Sequence, residues 1–379
     1  MSISPRLRLA MIGGGPGSMI GAVHRFATRL DDRYELVAGV FSTNAESNRK
    51  TAAQLQLADE RCYHDYQSLI KAEAERDDGA RVIAITTPNH SHYAIALACI
   101  EAGLDVVCEK PMTVTLAEAE DLQQRLRNAN SRLVLMHNYC GYPLVQHARE
   151  RVRNGELGRI RSVQVEYVQD WLSEVPDADN KQAAWRLDPK RAGSAGALGD
   201  IGTHAFQLAS FISGLKLASV SADLSAMVEG RVLDDNVHAL LRFEGGAKGM
   251  LWASQTSPGF ENALRIRVIG EKASLAWAQE NPNELWFAPL NQPQQLITRR
   301  ADWIGAEPAR GIRIPPGHPE GYLEGFANVY QALAEGVPGQ SDGGWLPDVQ
   351  TGVEGLRFIT ATLQSSQADG AWTAVGGES

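Results

Sequence analysis

The chain has 379 residues, enough for two domains with substantial cores, and its 44% apolar and 21% charged residues are typical of a globular protein. A net charge of -9 argues against general nucleic-acid binding and against binding to anionic membranes. No stretch approaches the roughly 20 apolar residues that span a bilayer, and the first residues lack the apolar core of a signal peptide. We expect a cytoplasmic protein whose four cysteines, which lack CxxC spacing, stay reduced.

The first 140 residues alternate apolar strands with helices. Gly103 is placed to end one helix and Thr115 to cap the next. The pattern predicts a parallel sheet covered by helices on both faces, which is the Rossmann-type doubly wound α/β domain, over residues 1–140. Strands are predicted at 7–13, 34–41, 81–88, 105–111 and 132–139, and helices over Ile20–Leu30 and at 45–57, 65–76, 91–103 and 116–129.

Residues 141–379 follow a different pattern, which predicts an α+β domain with a large, mostly antiparallel open sheet. Val163, Val165 and Tyr167 alternate with other side chains, so they indicate a strand with two different faces. Segment 291–319, rich in Pro, Gly and Arg, is predicted to be a long loop. Further strands are predicted at 217–228, 236–243, 247–256, 264–269, 273–277 and 284–287, and helices at 143–154, 321–335 and 347–365.

The stretch MIGGGPGSMIG (11–21) joins the first strand to the first helix, as in a dinucleotide site. Glycines there let the backbone approach a pyrophosphate at the helix N-terminus, and Gly13 and Gly15 supply the first two. Ser18 stands where the third glycine belongs, and Gly21 follows three residues later. Either Ser18 is tolerated in the third position, or the turn is longer, so that Gly21 makes the close helix contact and Ser18 becomes a phosphate contact.

The second strand ends in GVFSTN and lacks the acid that usually binds the ribose hydroxyls. Ser42 and Thr43 are candidates to bond a ribose hydroxyl or a 2′-phosphate, and Arg49 is a possible charge partner. The missing carboxylate removes one repulsion against NADP. We therefore expect NAD(P) with a slight preference for NADP, while NAD held without an acid stays open.

Chemistry-bearing motifs follow the later strands: TTPNHSH (86–92), EKP (109–111) and HNY (137–139). Ligands of doubly wound sheets lie outside these carboxyl ends. In GALGDIGTH (196–204), a helix that begins near Asp200 would place Asp200 and His204 on one face, where His204 is a fitting general base. Asp200 alternatively caps that helix. No His, Cys or Asp cluster has metal-ligand spacing, so we expect no metal.

Together, EKP, TPNHSH and GDIGTH behind a glycine turn resemble the Gfo/Idh/MocA family (glucose–fructose oxidoreductase, inositol dehydrogenase and rhizopine catabolism). The resemblance covers essentially the whole chain and implies a dehydrogenase that transfers hydride between NAD(P) and a hydroxyl-bearing carbon of a sugar, anhydrosugar or cyclitol. It also implies that Lys110 lies beside the nicotinamide and the reacting hydroxyl, that His204 takes the hydroxyl proton, and that Asp200 supports His204.

The resemblance also has implications for two short segments and for two larger sets of residues. Pro111 is expected to follow a cis peptide. NYCGYP (138–143) lacks an arginine that relatives often carry, which argues against an acidic substrate. The cofactor set is Gly13, Gly15, Gly17, Ser18, Met19, Ile20, Ser42, Thr43, Thr87, Pro88, Asn89, His92, Glu109, Lys110 and Asn138. The candidate sugar-pocket set is Tyr167, Asp170, Trp171, Trp185, Arg186, Asp200 and His204.

Two alternatives stay open at this point. One is a glycoside-cleaving enzyme that oxidises a ring carbon transiently and keeps its NAD bound. The other is a catalytically silent regulator that senses the cofactor, although the joint presence of Lys110, Asp200 and His204 argues against it. The broad sheet also makes a homodimer or homotetramer plausible.

Overall fold

The computed structural model describes residues 5–177, 180–300 and 302–376. The chain divides into two compact units, Met1–His137 with Phe326–Val353, and Asn138–Gly325 with Glu354–Ser379. The sequence placed all of 141–379 in the second domain, and residues 326–353 differ from that expectation. They group with the first unit because side chains such as Tyr330 pack against Tyr34 and His24 there.

The first unit contains a five-stranded parallel sheet in the order β2-β1-β3-β4-β5. Val82–Thr86 is buried along its whole length, as expected of a parallel strand covered on both faces. The strands are β1 (Leu7–Gly13), β2 (Tyr34–Val40), β3 (Val82–Thr86), β4 (Asp105–Cys108) and β5 (Leu133–Leu135). The helices that follow them are α1 (Met19–Leu30), α2 (Ala45–Gln54), α3 (Tyr66–Glu75), α4 (His92–Glu101) and α5 (Leu116–Leu126).

Capping residues define the helix ends that the sequence predicted. Thr115 forms a capping box with Glu118 at the start of α5. Gly103, with φ of 74°, follows the last residues of α4. These caps depend on hydrogen bonds between residues close in the sequence, so the sequence alone predicts them.

The second unit is built on a nine-stranded sheet in the order β13-β12-β11-β10-β6-β9-β8-β7-β14. Neighbours are antiparallel except β6 and β9, which run parallel. The strands are β6 (Ile160–Val168), β7 (Leu217–Ser225), β8 (Asn236–Phe243), β9 (Lys248–Ser254), β10 (Ala263–Gly270), β11 (Ala273–Ala278), β12 (Glu284–Pro289), β13 (Gln295–Thr298) and β14 (Thr373–Ala374). The fold class predicted from the sequence is confirmed.

Helices cover one face of this sheet. The remaining helices are α6 (Pro143–Arg153), α7 (Lys181–Arg186), α8 (Pro189–Ala192), α9 (Thr203–Ser213), α10 (Ala306–Ala309), α11 (Tyr322–Ala334) and α12 (Val349–Gln367). Helix α9 packs on β6 and β10, where Val163, Val165 and Tyr167 are buried. The opposite face of the sheet carries Gln164 and Glu166.

Three local expectations change or gain detail. The predicted loop 291–319 contains β13, because Gln295–Thr298 pairs with β12, and it also contains the short helix α10. The helix expected near Asp200 begins with a π-helical turn, Leu198–Gly202, before α9. The Lys110–Pro111 peptide is cis, as expected.

The four cysteines are free. Within the described ranges, no helix has both the length and the apolar character needed to cross a membrane.

Candidate active site

The glycine turn between β1 and α1 brings backbone segments closer together than side chains would permit. A Cβ on Gly21 would lie 2.8 Å from the carbonyl oxygen of Gly14 and closer still to the Gly14 Cα. A Cβ on Gly13 would lie 2.8 Å from the backbone of Thr86 in the adjacent strand. The longer-turn explanation therefore accounts for Gly21, which holds α1 tightly against the turn.

The outer side of the same turn is open. Gly17 has φ of 77°, and a Cβ there would meet no atom within 4 Å. Ser18 is the N-cap of α1, and its Oγ accepts the Gly21 N–H at 3.2 Å. The positive end of the helix dipole therefore lies at a turn with free space beside it, and this arrangement fits a pyrophosphate.

The end of β2, where a ribose is expected, carries hydroxyls and no carboxylate. The Oγ of Ser42 accepts the N–H of Asn44 at 3.1 Å, while Thr43 is exposed. Asn44 caps α2 by accepting the Ser47 N–H. Ser42 thus shapes the start of α2 and still presents a small polar group at the strand end.

His92 connects two of the predicted cofactor-binding loops. Its ring is fully buried, with Nδ1 2.9 Å from the Pro111 carbonyl oxygen and Nε2 2.8 Å from that of Thr87. Burial lowers the pKa of His92 against the opposing effect of those two carbonyls. Both nitrogens therefore face protein, and His92 connects Thr87 to Pro111, while its place in the cofactor set stays a prediction.

Lys110 lies at the carboxyl end of β4, half-buried, next to the buried Glu109. The Glu109 Oε2 accepts the backbone N–H of Lys110 at 3.2 Å. Burial, helped by the charge of Lys110, lowers the pKa of His137 to about 3. A neutral His137 at the end of β5 is therefore compatible with a cationic Lys110 nearby.

His204, in the first turn of α9, is buried among tyrosines. Its ring lies 5.0 Å from that of Tyr139, edge to face, and 6.1 Å from that of Tyr167. The two tyrosine hydroxyls are 2.6 Å apart, and the Tyr167 hydroxyl donates to Asn262 Oδ1 at 2.9 Å. Burial raises the pKa of both tyrosines, so they stay protonated near neutral pH. We call Tyr139, Tyr167, Asp200, His204 and Asn262 the His204 cluster.

Asp200 lies in the π-helical turn that precedes α9, and side chains from two other segments donate hydrogen bonds to it. Its Oδ2 accepts Arg186 Nε at 3.1 Å and Gln255 Nε2 at 2.9 Å. Arg186 also lies 4.4 Å from the ring centroid of Trp185 and 5.8 Å from that of Trp171. Asp200 is therefore an oriented carboxylate and does not cap the helix. The indole of Trp171, 40% exposed, offers a face on which a sugar can stack.

The structure brings together most of the predicted pocket residues within the second unit. The Oδ2 of Asp170 accepts the Gly259 N–H at 3.4 Å, and its role in the pocket stays a prediction. Asn138 carries a buried Nδ2 with no hydrogen-bond partner among the described residues. Such a group is a donor available to a bound molecule.

Sequence reasoning missed Gln255, Asn262 and Asp234. Gln255 directly follows β9, and the parallel pairing of β6 with β9 places their carboxyl ends together. That parallel pair was not expected, so Gln255 carried no signal. Asp234 accepts the N–H groups of Gly196 and Leu198, at 2.6 and 2.7 Å, and so holds the segment that leads into the π turn.

Known families match both parts of the chain. Residues 7–137 match the oxidoreductase family with an NAD-binding Rossmann fold, and residues 145–276 match the GFO/IDH/MocA C-terminal domain.

Solved and curated relatives span nearly the whole chain. An oxidoreductase structure from Sinorhizobium meliloti is 44% identical, with a TM-score of 0.88, and the match covers 97% of this chain and 99% of that one. An inositol dehydrogenase homolog from Azotobacter vinelandii, complexed with NADH and myo-inositol, is 36% identical, with a TM-score of 0.90 and 98% of each chain covered. The levoglucosan dehydrogenase of Pseudarthrobacter phenanthrenivorans is 29% identical over 97% of this chain and 98% of its own.

Proposed function

Since the chain belongs to the Gfo/Idh/MocA family of oxidoreductases, with an NAD-binding Rossmann domain, we propose that it oxidises a secondary hydroxyl of a sugar, anhydrosugar or cyclitol. The observation that carries this proposal is the His204 cluster. It joins a buried imidazole, an oriented carboxylate and a chain of hydroxyls to the exposed indole of Trp171. Polar groups beside an aromatic face suit a polyhydroxylated ring.

Side chains of the protein accept the proton that the reacting hydroxyl loses. His204 accepts this proton, since a buried imidazole is a suitable general base near neutral pH. Asp200 binds a neighbouring hydroxyl and stabilises the charge that His204 acquires. Lys110 shares the proton transfer, as the family resemblance implies. A bound nicotinamide supplies the hydride acceptor, so the carbon loses a hydride and its hydroxyl loses a proton.

The absent carboxylate at Ser42 supports acceptance of NADP as well as NAD. NADP carries an extra phosphate on the adenosine ribose, and a carboxylate at this position would repel it. Solved structures of levoglucosan dehydrogenase and of the Azotobacter vinelandii inositol dehydrogenase homolog hold NADH or NAD+. We therefore propose dual use of the two cofactors, with the preference decided around Ser42.

A panel of substrates tests the proposed reaction. The wild-type chain is incubated with inositols, levoglucosan, free sugars and aryl glycosides, each with NAD and NADP, and absorbance at 340 nm is followed. Accumulation of reduced cofactor with a free sugar, anhydrosugar or inositol supports the proposal. Cleavage of the glycoside without net reduction indicates the glycoside-cleaving alternative. Absence of any turnover, with intact cofactor binding, favours the cofactor-sensing regulator.

Matched variants then test the residue assignments. His204→Asn and Lys110→Met are expected to lower kcat by at least about a hundredfold, as is usual for loss of a proton-transfer group. The controls His64→Asn and Lys71→Met replace exposed residues of the same types and should keep wild-type activity. If His204→Asn and Lys110→Met turn over at the wild-type rate, the assignment is wrong.

The uncovered face of the nine-stranded sheet supports self-association. Cross-strand register places Leu240 beside Met250, and Trp286 beside Leu296, in one row that also holds Gln164, Arg267 and Ala276. Those four apolar side chains are 40–55% exposed. Because apolar patches of this kind mark interfaces, we propose that a second copy of the chain covers this face.

Light scattering after size-exclusion chromatography tests this assembly. Met250→Glu places a charge in the row and should shift the mass toward the monomer. Met227→Glu changes a methionine outside the row that is even more exposed, and it should leave the mass unchanged. A monomeric wild-type chain contradicts the proposal.

A further inference from the structure

A buried chain of hydrogen bonds connects three elements of the first unit behind Lys110. His24, on α1, is fully buried, with Nε2 2.9 Å from Glu109 Oε1 and Nδ1 2.6 Å from the Tyr330 hydroxyl. The other oxygen of Glu109 accepts the Lys110 N–H. Tyr330 lies on α11 and is 1% exposed. The chain therefore runs from Tyr330 through His24 and Glu109 to the backbone of Lys110.

The members of this chain carry the donors and acceptors that it needs. A carboxylate accepts from Nε2–H of the His24 ring, and Nδ1 meets the Tyr330 hydroxyl, which can donate or accept. Burial raises the pKa of Tyr330 far above its usual range, so its hydroxyl keeps its proton. His24 thus contacts Tyr330 through one ring nitrogen and Glu109 through the other. A change at either end of the chain leaves a buried polar group without its partner. The geometry of Glu109 therefore depends on His24 and, through His24, on Tyr330.

Helix α1 also carries the contacts of the glycine turn. Gly21 packs on Gly14, and Arg25 Nη1 donates to the Gly14 carbonyl oxygen at 2.7 Å. His24 precedes Arg25, so neighbouring residues of one helix reach the turn and the Glu109 carboxylate. In the strand order β2-β1-β3-β4-β5, the turn follows β1 and Lys110 follows β4. These are separate points of the edge along which a dinucleotide lies.

We infer that His24 and Tyr330 are positioning residues, which set Glu109 and through it the Lys110 backbone relative to the glycine turn. This inference rests on the proposed function, because it gives Lys110 a part in the reaction. Neither His24 nor Tyr330 transfers a proton to substrate. Their removal should impair the chemical step more than cofactor binding, since the turn that fits the pyrophosphate keeps its own contacts.

Two tyrosines give a matched pair of variants. The Tyr34 hydroxyl is also buried, lies in the same cluster, and donates to the Tyr330 backbone oxygen at 2.8 Å. Tyr330→Phe therefore breaks the chain to Glu109, whereas Tyr34→Phe deletes a comparable hydroxyl outside it. The second pair is His24→Gln and His24→Asn, since the longer amide reaches toward the position of Nε2 and the shorter one toward that of Nδ1.

Amide hydrogen exchange measures how firmly the Lys110 backbone is held, and it needs no catalytic turnover. In the full-length, cofactor-free chain, exchange of the Lys110 amide should accelerate by about tenfold in Tyr330→Phe and stay at the wild-type rate in Tyr34→Phe. At saturating substrate and cofactor, kcat should fall by about tenfold in Tyr330→Phe, with the KM for cofactor unchanged within about twofold. His24→Gln should keep more of kcat than His24→Asn.

The possible outcomes separate this inference from the proposed function. Equal exchange rates and equal kcat in Tyr330→Phe and Tyr34→Phe overturn the inference, as does equal activity of the two His24 variants. If the wild-type chain reduces no cofactor with any substrate, the proposed function fails. The exchange rates of Lys110 then still decide whether Tyr330 positions this segment: an unchanged rate in Tyr330→Phe overturns the inference.

Discussion

Replacing Gly21 with alanine tests the close contact that defines the glycine turn. The added methyl group would lie 2.8 Å from the Gly14 carbonyl oxygen, a distance that real Cβ atoms essentially never show, and the opposing atoms are backbone. Either α1 or the turn must therefore move. Overpacking of this kind costs about 1–3 kcal/mol, and the better helix propensity of alanine returns roughly 1 kcal/mol. We expect a net loss of up to about 2 kcal/mol in the free energy of unfolding.

The same displacement should weaken NAD binding. The Gly14 backbone belongs to the turn that fits the pyrophosphate, and loss of one hydrogen bond to a charged group costs about 1.5–3 kcal/mol. The Kd for NAD should therefore rise by roughly ten- to a hundredfold. Urea unfolding measures the stability, and titration of NADH fluorescence measures the affinity of the reduced cofactor in the same preparation.

Gly355 supplies the matched control. It is a buried helical glycine in α12, and a Cβ there would make only an ordinary contact of 3.6 Å with the Thr203 hydroxyl. Gly355→Ala should raise the free energy of unfolding by up to roughly 1 kcal/mol and leave cofactor affinity unchanged. The reasoning is refuted if Gly21→Ala binds NADH as tightly as the wild type, or if both substitutions change stability equally.

Three further predictions concern the ribose end, the oriented carboxylate and acid stability. Ser42→Asp should lower kcat/KM with NADP relative to NAD by about tenfold, since it adds a charge that repels the 2′-phosphate; an unchanged ratio contradicts the assignment. Gln255→Leu should remove one donor from Asp200 and lower kcat/KM for substrate by about tenfold, with NAD affinity intact; equal kcat/KM would show that Gln255 is dispensable. The pKa of His137 is about 3, below its unfolded value, so the unfolded chain binds more protons and stability falls as the pH drops from about 6.5 toward 3. His137→Asn should make this fall shallower in urea titrations at several pH values, and an unchanged slope, like that of the exposed control His64→Asn, would refute it.

Much of the fold was predictable because its signals are local. Buried parallel strands read as short apolar runs, Thr115 and Gly103 mark helix ends, and the glycine turn sits between a strand and a helix. The three strand-end motifs were predictable for a related reason. Once the sheet is parallel, the carboxyl ends of its strands share one edge, so Thr87, Lys110 and the HNY segment belong to the same region.

Other parts depended on partners far away in the sequence. The strand at Gln295–Thr298 exists because β12 is available to pair with it, although its own composition resembles a loop. Gln255 meets Asp200 because the π-helical turn packs on β9, and this contact joins residues 55 positions apart in the sequence. His24 carries no local sequence signal that points to its partners. Its link to Glu109 spans 85 residues, and its link to Tyr330 spans 306.

The sequence by itself determined the two-part architecture, the glycine turn between β1 and α1, and the residue types available for proton transfer, because these follow from short-range geometry and side-chain chemistry. Only the tertiary structure decided that Gly21 makes the close backbone contact, that His92 braces loops, and that Asp200 is oriented by Arg186 and Gln255. The reason is physical: hydrogen bonds and steric contacts act over a few ångströms, and folding alone determines which distant residues come within that range.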